Sequence, residues 1–469
     1  MRLKSKIGLW IAILIAGPIS DGAWADGPFA LVSGRWDPSV IVVDLSKALD
    51  PANNATPNAI VSRIRVTRDV DTDGDGIADA PAAGLPSNVV IARGGQTVFV
   101  VNHAGNAAPA DVAAFPHGHP GTITVLDLRA ALDPVNNDTT NAIEAVIPSG
   151  GYGPVGFAQS DDSRFAFVGS SEGPGNEDGG STISVIDLAR REVIEVLHLP
   201  LGDGGKVAQD LDRSCAQLLA NPSRIPHGLP NGNVGCFPDI NALGLSGGFA
   251  LAANGGTDDV SVIDIQRAIG GGPDVEVARI AVERGPWGLA ASPGGELAAV
   301  TNRESAETGL EGNTISILDI DKASRGDSDA EVARVVVGTD DVAVGTRPFG
   351  LAFTPDGYRI VVANFRSNNV SLVDVRRALD GSEDAELARI PLTRPDGGSS
   401  RPRGVAITPD GRFAVISGGE RDAAGGGSLW IVDLGSAEAV ATVTGVGNEP
   451  YLLAIAPGIS DLRQFGATE

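Results

Sequence analysis

The stretch from Arg347 to Val375 reads RPFGLAFTPDGYRIVVANFRSNNVSLVDV. Arg401 to Glu420 repeats its first two thirds as RPRGVAITPDGRFAVISGGE, before Ser428 to Leu434 closes that copy with SLWIVDL. Each copy has four parts. A short apolar strand follows a Pro-x-Gly opening, and a TPDG turn comes next. In that turn Pro355 presets the backbone, Asp356 bonds locally and Gly357 tolerates positive φ. A second apolar strand ends near Asn or a small residue, and a third ends in apolar-Asp-apolar. The fourth is visible as AELARIPL, AEVARVVV and VEVARIAV.

The third-strand motif counts the copies, placing an aspartate at Asp44, Asp127, Asp187, Asp264, Asp319, Asp374 and Asp433. The opening motif also occurs seven times, but out of step. The first copy lacks it, and NEPYLLAIAP supplies an extra one near the end. This pattern predicts an all-β chain: a single seven-bladed β-propeller of four-stranded antiparallel blades over residues 26–469. A C-terminal strand completes the first blade, and such closure removes the exposed edges that an open array would leave. Seven equivalent catalytic acids are implausible, so the repeated aspartates are read as turn-forming groups.

The Pro-x-Gly opening, the TPDG turn, the strand ends at Asn302 and Asn364 and the NVSLVD third strand resemble the YVTN-type β-propeller repeats of exported proteins, a class similar in turn to lactonase-like propellers. The resemblance covers the mature chain and implies the fold. It leaves the function open, because such a scaffold hosts binding proteins and enzymes alike.

Arg2, Lys4 and Lys6 precede the apolar run IGLWIAILIAG, and Ala23 and Ala25 form a small-x-small site before Asp26. This predicts a signal peptide over residues 1–25, cleaved after Ala25, and a periplasmic or secreted protein with no membrane span. Its loss would take the formal charge from −24 to −26. Nucleic acid is therefore not expected as a partner; the charge suits a cation or a basic protein, while its simplest reading is that it keeps the chain soluble. An exported chain whose only cysteines are Cys215 and Cys236 is expected to join them as a disulfide. There is no C-x-x-C-H haem motif, only five tryptophans for a quinoprotein pattern, and no strand–helix dinucleotide motif, so haem, PQQ and NAD are not expected.

Three insertions, at residues 67–86, 102–121 and 200–236, are predicted to decorate one face of the ring, where function tends to sit. The first contains DTDGDGIAD. Asp71, Asp73, Asp75, the Ile77 carbonyl and Asp79 take alternate positions of a calcium loop, although Ala82 stands where an EF-hand has glutamate. Calcium there would stiffen a loop at the mouth. In the second insertion His103, His117 and His119, with His227 from the third, are candidates for a transition-metal site. Arg303, Arg347, Arg401 and Arg403 fall near the mouth with Trp36, Asn102, Trp287, Asn364 and Arg366, alongside Arg35, Glu420 and Arg421. A cationic mouth suits a carboxylate, a phosphate or another anion.

Three functions follow from this. The first is a calcium-stabilised propeller that binds a small anionic ligand or a protein partner. The second is a mouth enzyme, a lactonase-like hydrolase or a lyase, with His103 as base and Arg303, Arg347 or Arg403 stabilising developing negative charge. The third is a metal-dependent redox enzyme or electron-transfer partner. N-terminal sequencing of the protein recovered from its native compartment is expected to begin at Asp26; an intact Met1 would remove the export reading.

Overall fold

The structure is a computed structural model. It describes residues 27–114, 117–173, 180–202, 237–304, 311–340, 345–423 and 425–458. The leader, Cys215, Cys236 and His227 lie outside the described residues.

The fold is all-β, built from four-stranded antiparallel sheets of the propeller type. Five sheets have four strands each, and a seven-stranded sheet divides into two more four-stranded units at its shared strand Ile143–Gln159. The first half of that strand pairs with Pro120–Asp127 and the second with Phe165–Glu172, and Tyr152 pairs with both. The C-terminal strand Pro450–Ala456 joins Phe29–Gly34 in the first sheet, as the displaced opening motif predicts. A two-stranded ribbon, Asp69–Val70 with Ala80–Pro81, carries the acidic loop at its tip.

Second and third strands are apolar on both faces because each sheet is covered by its neighbours. Phe29–Gly34 and Ser39–Asp44 are buried at every position. The apolar clusters accordingly span successive sheets. One joins Leu31, Val40 and Val42 to Val89, Val100 and Leu126, while another joins Val32, Ile41 and Val43 to Phe413, Val415 and Ile431 of the last sheet.

The repeated aspartates do turn work. Asp44, Asp127, Asp264, Asp319 and Asp374 each cap a short helix by accepting the backbone N–H three residues on. Asp187 accepts from Ala189 and Arg190, and Asp433 from Gly435 and Ser436.

The glycine of the Pro-x-Gly opening has a steric role. A Cβ at Gly288 would collide with the Phe349 carbonyl oxygen of the next sheet, one at Gly350 with the Arg403 carbonyl, and one at Gly404 with the Tyr451 carbonyl. A hydroxyl from the second strand ties the first and last of these junctions: Gly288 N–H donates to Thr301 Oγ1 (2.7 Å), which donates to the Phe349 carbonyl (2.8 Å). Ser417 does the same between Gly404 N–H and the Tyr451 carbonyl.

Gly288→Ala is therefore expected to destabilise by about 1–3 kcal/mol, the usual cost of forcing atoms into a packed site. Gly94→Ala, where a Cβ meets no atom within 4 Å, should change stability by less than about 0.5 kcal/mol. Urea unfolding of the two variants beside the parent measures the contrast.

Candidate functional site

The residue after the proline of the opening motif stands at the start of an innermost strand. Trp287, Phe349 and Tyr451 occupy this place in three sheets and form one aromatic cluster with Val155 and Phe365. Trp287 and Phe349 lie 3.8 Å apart between ring centroids, and Tyr451 meets both edge-on at 5.9 and 5.6 Å. Below them a cavity of about 140 Å³ is lined by Asn88, Gly156, Asn241, Gly350 and Leu452, all on innermost strands. A larger groove of about 780 Å³ runs along the rim between Glu331–Val336 and Glu386–Pro391, away from this cluster, and carries none of the candidate residues.

Arginines cover the aromatic faces. Arg303 lies 5.3 Å from the Phe349 centroid and 5.9 Å from that of Trp287. Arg35 lies 5.2 Å from Tyr451, and Arg347, Arg401 and Arg403 lie 5.6, 5.0 and 4.8 Å from Phe365. Their partners differ. Arg403, buried, pairs with Glu449 at 2.5 Å, and Arg401 pairs with Glu420 at 3.2 Å. Arg303 and Arg35 make no ion pair among the described residues, and Arg303 Nε and Arg35 Nη1 are buried without a hydrogen-bond acceptor there. Burial and the Arg347 guanidinium push Arg303 down to about 10, and burial lowers Arg403 as well.

A second group lies beside this cluster. His103 ends the strand Thr97–Gly105, and His117 stands in the following connection. Both meet Glu172, which ends Phe165–Glu172. His103 Nε2 and His117 Nδ1 each lie 2.6 Å from Glu172 Oε1, and Gly118 N–H donates to Oε2 at 2.7 Å. Glu172 sits over Gly153, where a Cβ would fall 2.6 Å from the carboxylate carbon and φ is +53°, so only glycine leaves it room. Burial, reinforced by the Arg35 charge, lowers His103 and favours its neutral form. Burial by itself would raise Glu172. The His103 pairing, the two imidazole hydrogen bonds and Gly118 N–H outweigh it and hold the carboxyl well below the usual carboxylate range. An ionised carboxylate accepting N–H from His103 Nε2 satisfies both directions, and it leaves His103 Nδ1 as a buried lone pair with no partner among the described residues.

The remaining expectations divide. Asn102 and Asn364 are fully buried, and their side-chain N–H groups bridge Thr122 with Thr124 and Asn369 with Ser371, as Asn254 and Asn302 bridge partners in their own sheets. The strand-end asparagine is thus a clamp between second and third strands. Trp36 is half-buried, donates Nε1–H to Glu449 at 2.6 Å and is covered by Arg421 at 3.6 Å. Arg366 is exposed. His119 does not join the group around Glu172; its carbonyl accepts from Gly153 N–H.

The first two insertions pack on each other. Ala83 N–H donates to the Ala107 carbonyl, and Leu85, Ala104 and Val112 form an apolar cluster beside Trp36. At the ribbon tip the carboxylates of Asp71, Asp73 and Asp75 lie within 4.8 Å of one another, while Asp79 accepts from Thr72. Asp71 is lowered by hydrogen bonds from Gly76 and Gly74 N–H.

Sequence reasoning passed over Glu172 and Glu449. Glu172 follows a second strand, as His103 and Arg303 do, and Glu449 precedes the proline of the last opening motif. Those positions were the available signal.

No protein-family model and no curated protein matches the sequence. Solved structures do. The periplasmic gluconolactonase PpgL of Pseudomonas aeruginosa is 16% identical with a TM-score of 0.60, covering 92% of this chain and 99% of that one. A putative 6-phosphogluconolactonase from Bacteroides uniformis is 13% identical with a TM-score of 0.56, covering 92% and 99%. Its counterpart from Bacteroides fragilis is 13% identical, also with a TM-score of 0.56, covering 94% and 100%. This chain shares their lactonase-like, propeller-type fold.

Glu449→Gln removes the carboxylate from buried Arg403 and is expected to cost about 3 kcal/mol, the usual penalty for stranding a buried charge. Arg403→Met, which removes the charge itself, should cost less. Denaturant unfolding of both variants compares them.

Proposed function

We propose that the chain is an exported, closed seven-bladed propeller whose mouth binds a small anionic ligand through Arg303 and Arg35. One observation carries this reading. Arg303 lies against Trp287 and Phe349, with no ion pair and no acceptor for its Nε among the described residues. Glu304 and Asp239 favour the charged guanidinium only from a distance, and a cation taken out of water without a direct partner costs several kcal/mol. A carboxylate or phosphate supplies that charge and matches the planar guanidinium fork. The acidity of the rest of the molecule leaves this patch as an exception to its charge and not an example of it.

The neighbours named for gluconolactone and 6-phosphogluconolactone chemistry support a polyhydroxy-acid ligand class. The His103–Glu172 group supports a second reading on the same mouth, hydrolytic lactone opening. Water adds to the ring carbonyl, the ring C–O bond breaks and a hydroxy acid leaves. The imidazole–carboxylate group accepts the proton, and the arginines face the developing oxyanion. We also propose calcium at Asp71, Asp73 and Asp75, with the Ile77 carbonyl; their mutual approach supports it, and Asp79 would turn from Thr72 to join.

Calorimetric titration with inorganic phosphate, gluconate and 6-phosphogluconate tests the site. We expect at least one to bind and Arg303→Met to weaken it by roughly 10-fold or more, the scale of one charged hydrogen bond. No binding, or equal binding by the variant, would overturn the assignment. A pH-stat assay with the corresponding lactones separates the two readings, since binding without turnover leaves a binding propeller.

A further inference from the structure

We infer that His103, His117 and Glu172 form a site for a divalent transition-metal ion. Three donors from separate parts of the chain converge: His103 from the end of Thr97–Gly105, His117 from the inserted connection and Glu172 from the end of Phe165–Glu172 in the next unit. Their ligating atoms all lie within 4.8 Å of one another, and both imidazole nitrogens address the same carboxylate oxygen. His103 is 3% exposed and Glu172 7%, so two donors are held in the packed wall while half-exposed His117 leaves a side open.

The chemistry of the donor set selects the ion. Two imidazoles and one carboxylate suit zinc, iron or cobalt, whereas calcium and magnesium prefer all-oxygen shells such as the Asp71 loop. Three protein ligands also leave a coordination position for water or substrate, as catalytic sites do and closed structural sites do not.

Geometry allows occupation with a small adjustment. With metal–ligand bonds of roughly 2.0–2.2 Å, neighbouring donors stand about 3 Å or more apart, so the 2.6 Å contacts must open by about half an ångström. His117 can open its own contact by side-chain rotation, and the His103–Glu172 contact opens by a small shift of the imidazole. Glu172 stays oriented, because its other oxygen is fixed by Gly118 N–H at 2.7 Å, the outer hydrogen bond that ligating carboxylates ordinarily have. A divalent ion would also reverse the charge of a group that otherwise consists of an ionised carboxylate and imidazoles. Such an ion lies beside the anion mouth, yet its presence does not depend on the anion reading.

Chelator-stripped full-length protein, prepared without an affinity metal column, is dialysed against Zn²⁺ or Co²⁺ and assayed by elemental mass spectrometry and by cobalt absorption. We expect one tightly held equivalent with a visible cobalt spectrum. Affinity should fall by about 10-fold or more in His117→Ala, which removes a half-exposed side chain and spares the core, and stay unchanged in Asp73→Asn and Arg303→Met. Overturning results would be no retained equivalent, an affinity and spectrum unaffected by His117→Ala, or an equivalent lost in Asp73→Asn but kept in His117→Ala. Loss of anion binding in Arg303→Met with cobalt retained separates the two sites.

Discussion

A backbone carbonyl lying against a bare α-carbon sets the spacing of this molecule. At Gly288, Gly350 and Gly404 the next sheet's innermost strand comes so close that no side chain fits between. The glycine cannot be discussed apart from the residue before it, because the same approach that excludes a Cβ at Gly288 brings Trp287 against Phe349. The hydroxyls of Thr301 and Ser417 then lock two of these approaches, at Gly288 and Gly404, by bonding both strands. Fold and site thus share one constraint, and a change that widened the spacing between these sheets would also disperse the aromatic cluster.

The arginines explain how such a cluster tolerates charge. An aromatic face attracts a guanidinium, and that attraction is worth more where water is excluded. Arg403 adds a carboxylate, Glu449, whose second oxygen is taken by Trp36 Nε1–H, so one glutamate joins the first and last sheets through two different side chains. Arg303 and Arg35 lack that arrangement among the described residues. The contrast between satisfied and unsatisfied arginines, and not their number, distinguishes a site from a decorated wall.

Much of the architecture was legible because its signals are local and repeated. A capping aspartate, a turn glycine and a proline before a strand each act within a few residues, so Asp374 and Gly357 announce their roles wherever they recur. The displaced opening motif at Pro450 even carried a long-range pairing, since only one sheet lacked an innermost strand. The site was less legible because its contacts are not local. Glu172 meets His103 across 69 residues of chain, and nothing adjacent to either marks the other. Asn102 and Asn364 show the opposite case: a polar residue at a strand end reads as a ligand contact, yet its amide N–H groups donate to side-chain oxygens of the next strand. In a repeat protein, a polar residue found in most copies belongs to the scaffold, and the informative ones are those found once.

The pairing of Pro450–Ala456 with Phe29–Gly34 has a bearing on synthesis. The first sheet emerges from the ribosome without its innermost strand, which lies more than 400 residues further along the chain. Until then the unpaired backbone of Phe29–Gly34 is an open edge able to accept a strand from another chain. The first sheet is therefore complete only once Pro450–Ala456 has been made, and the intervening exposure gives the nascent chain a reason to be shielded by a chaperone until then.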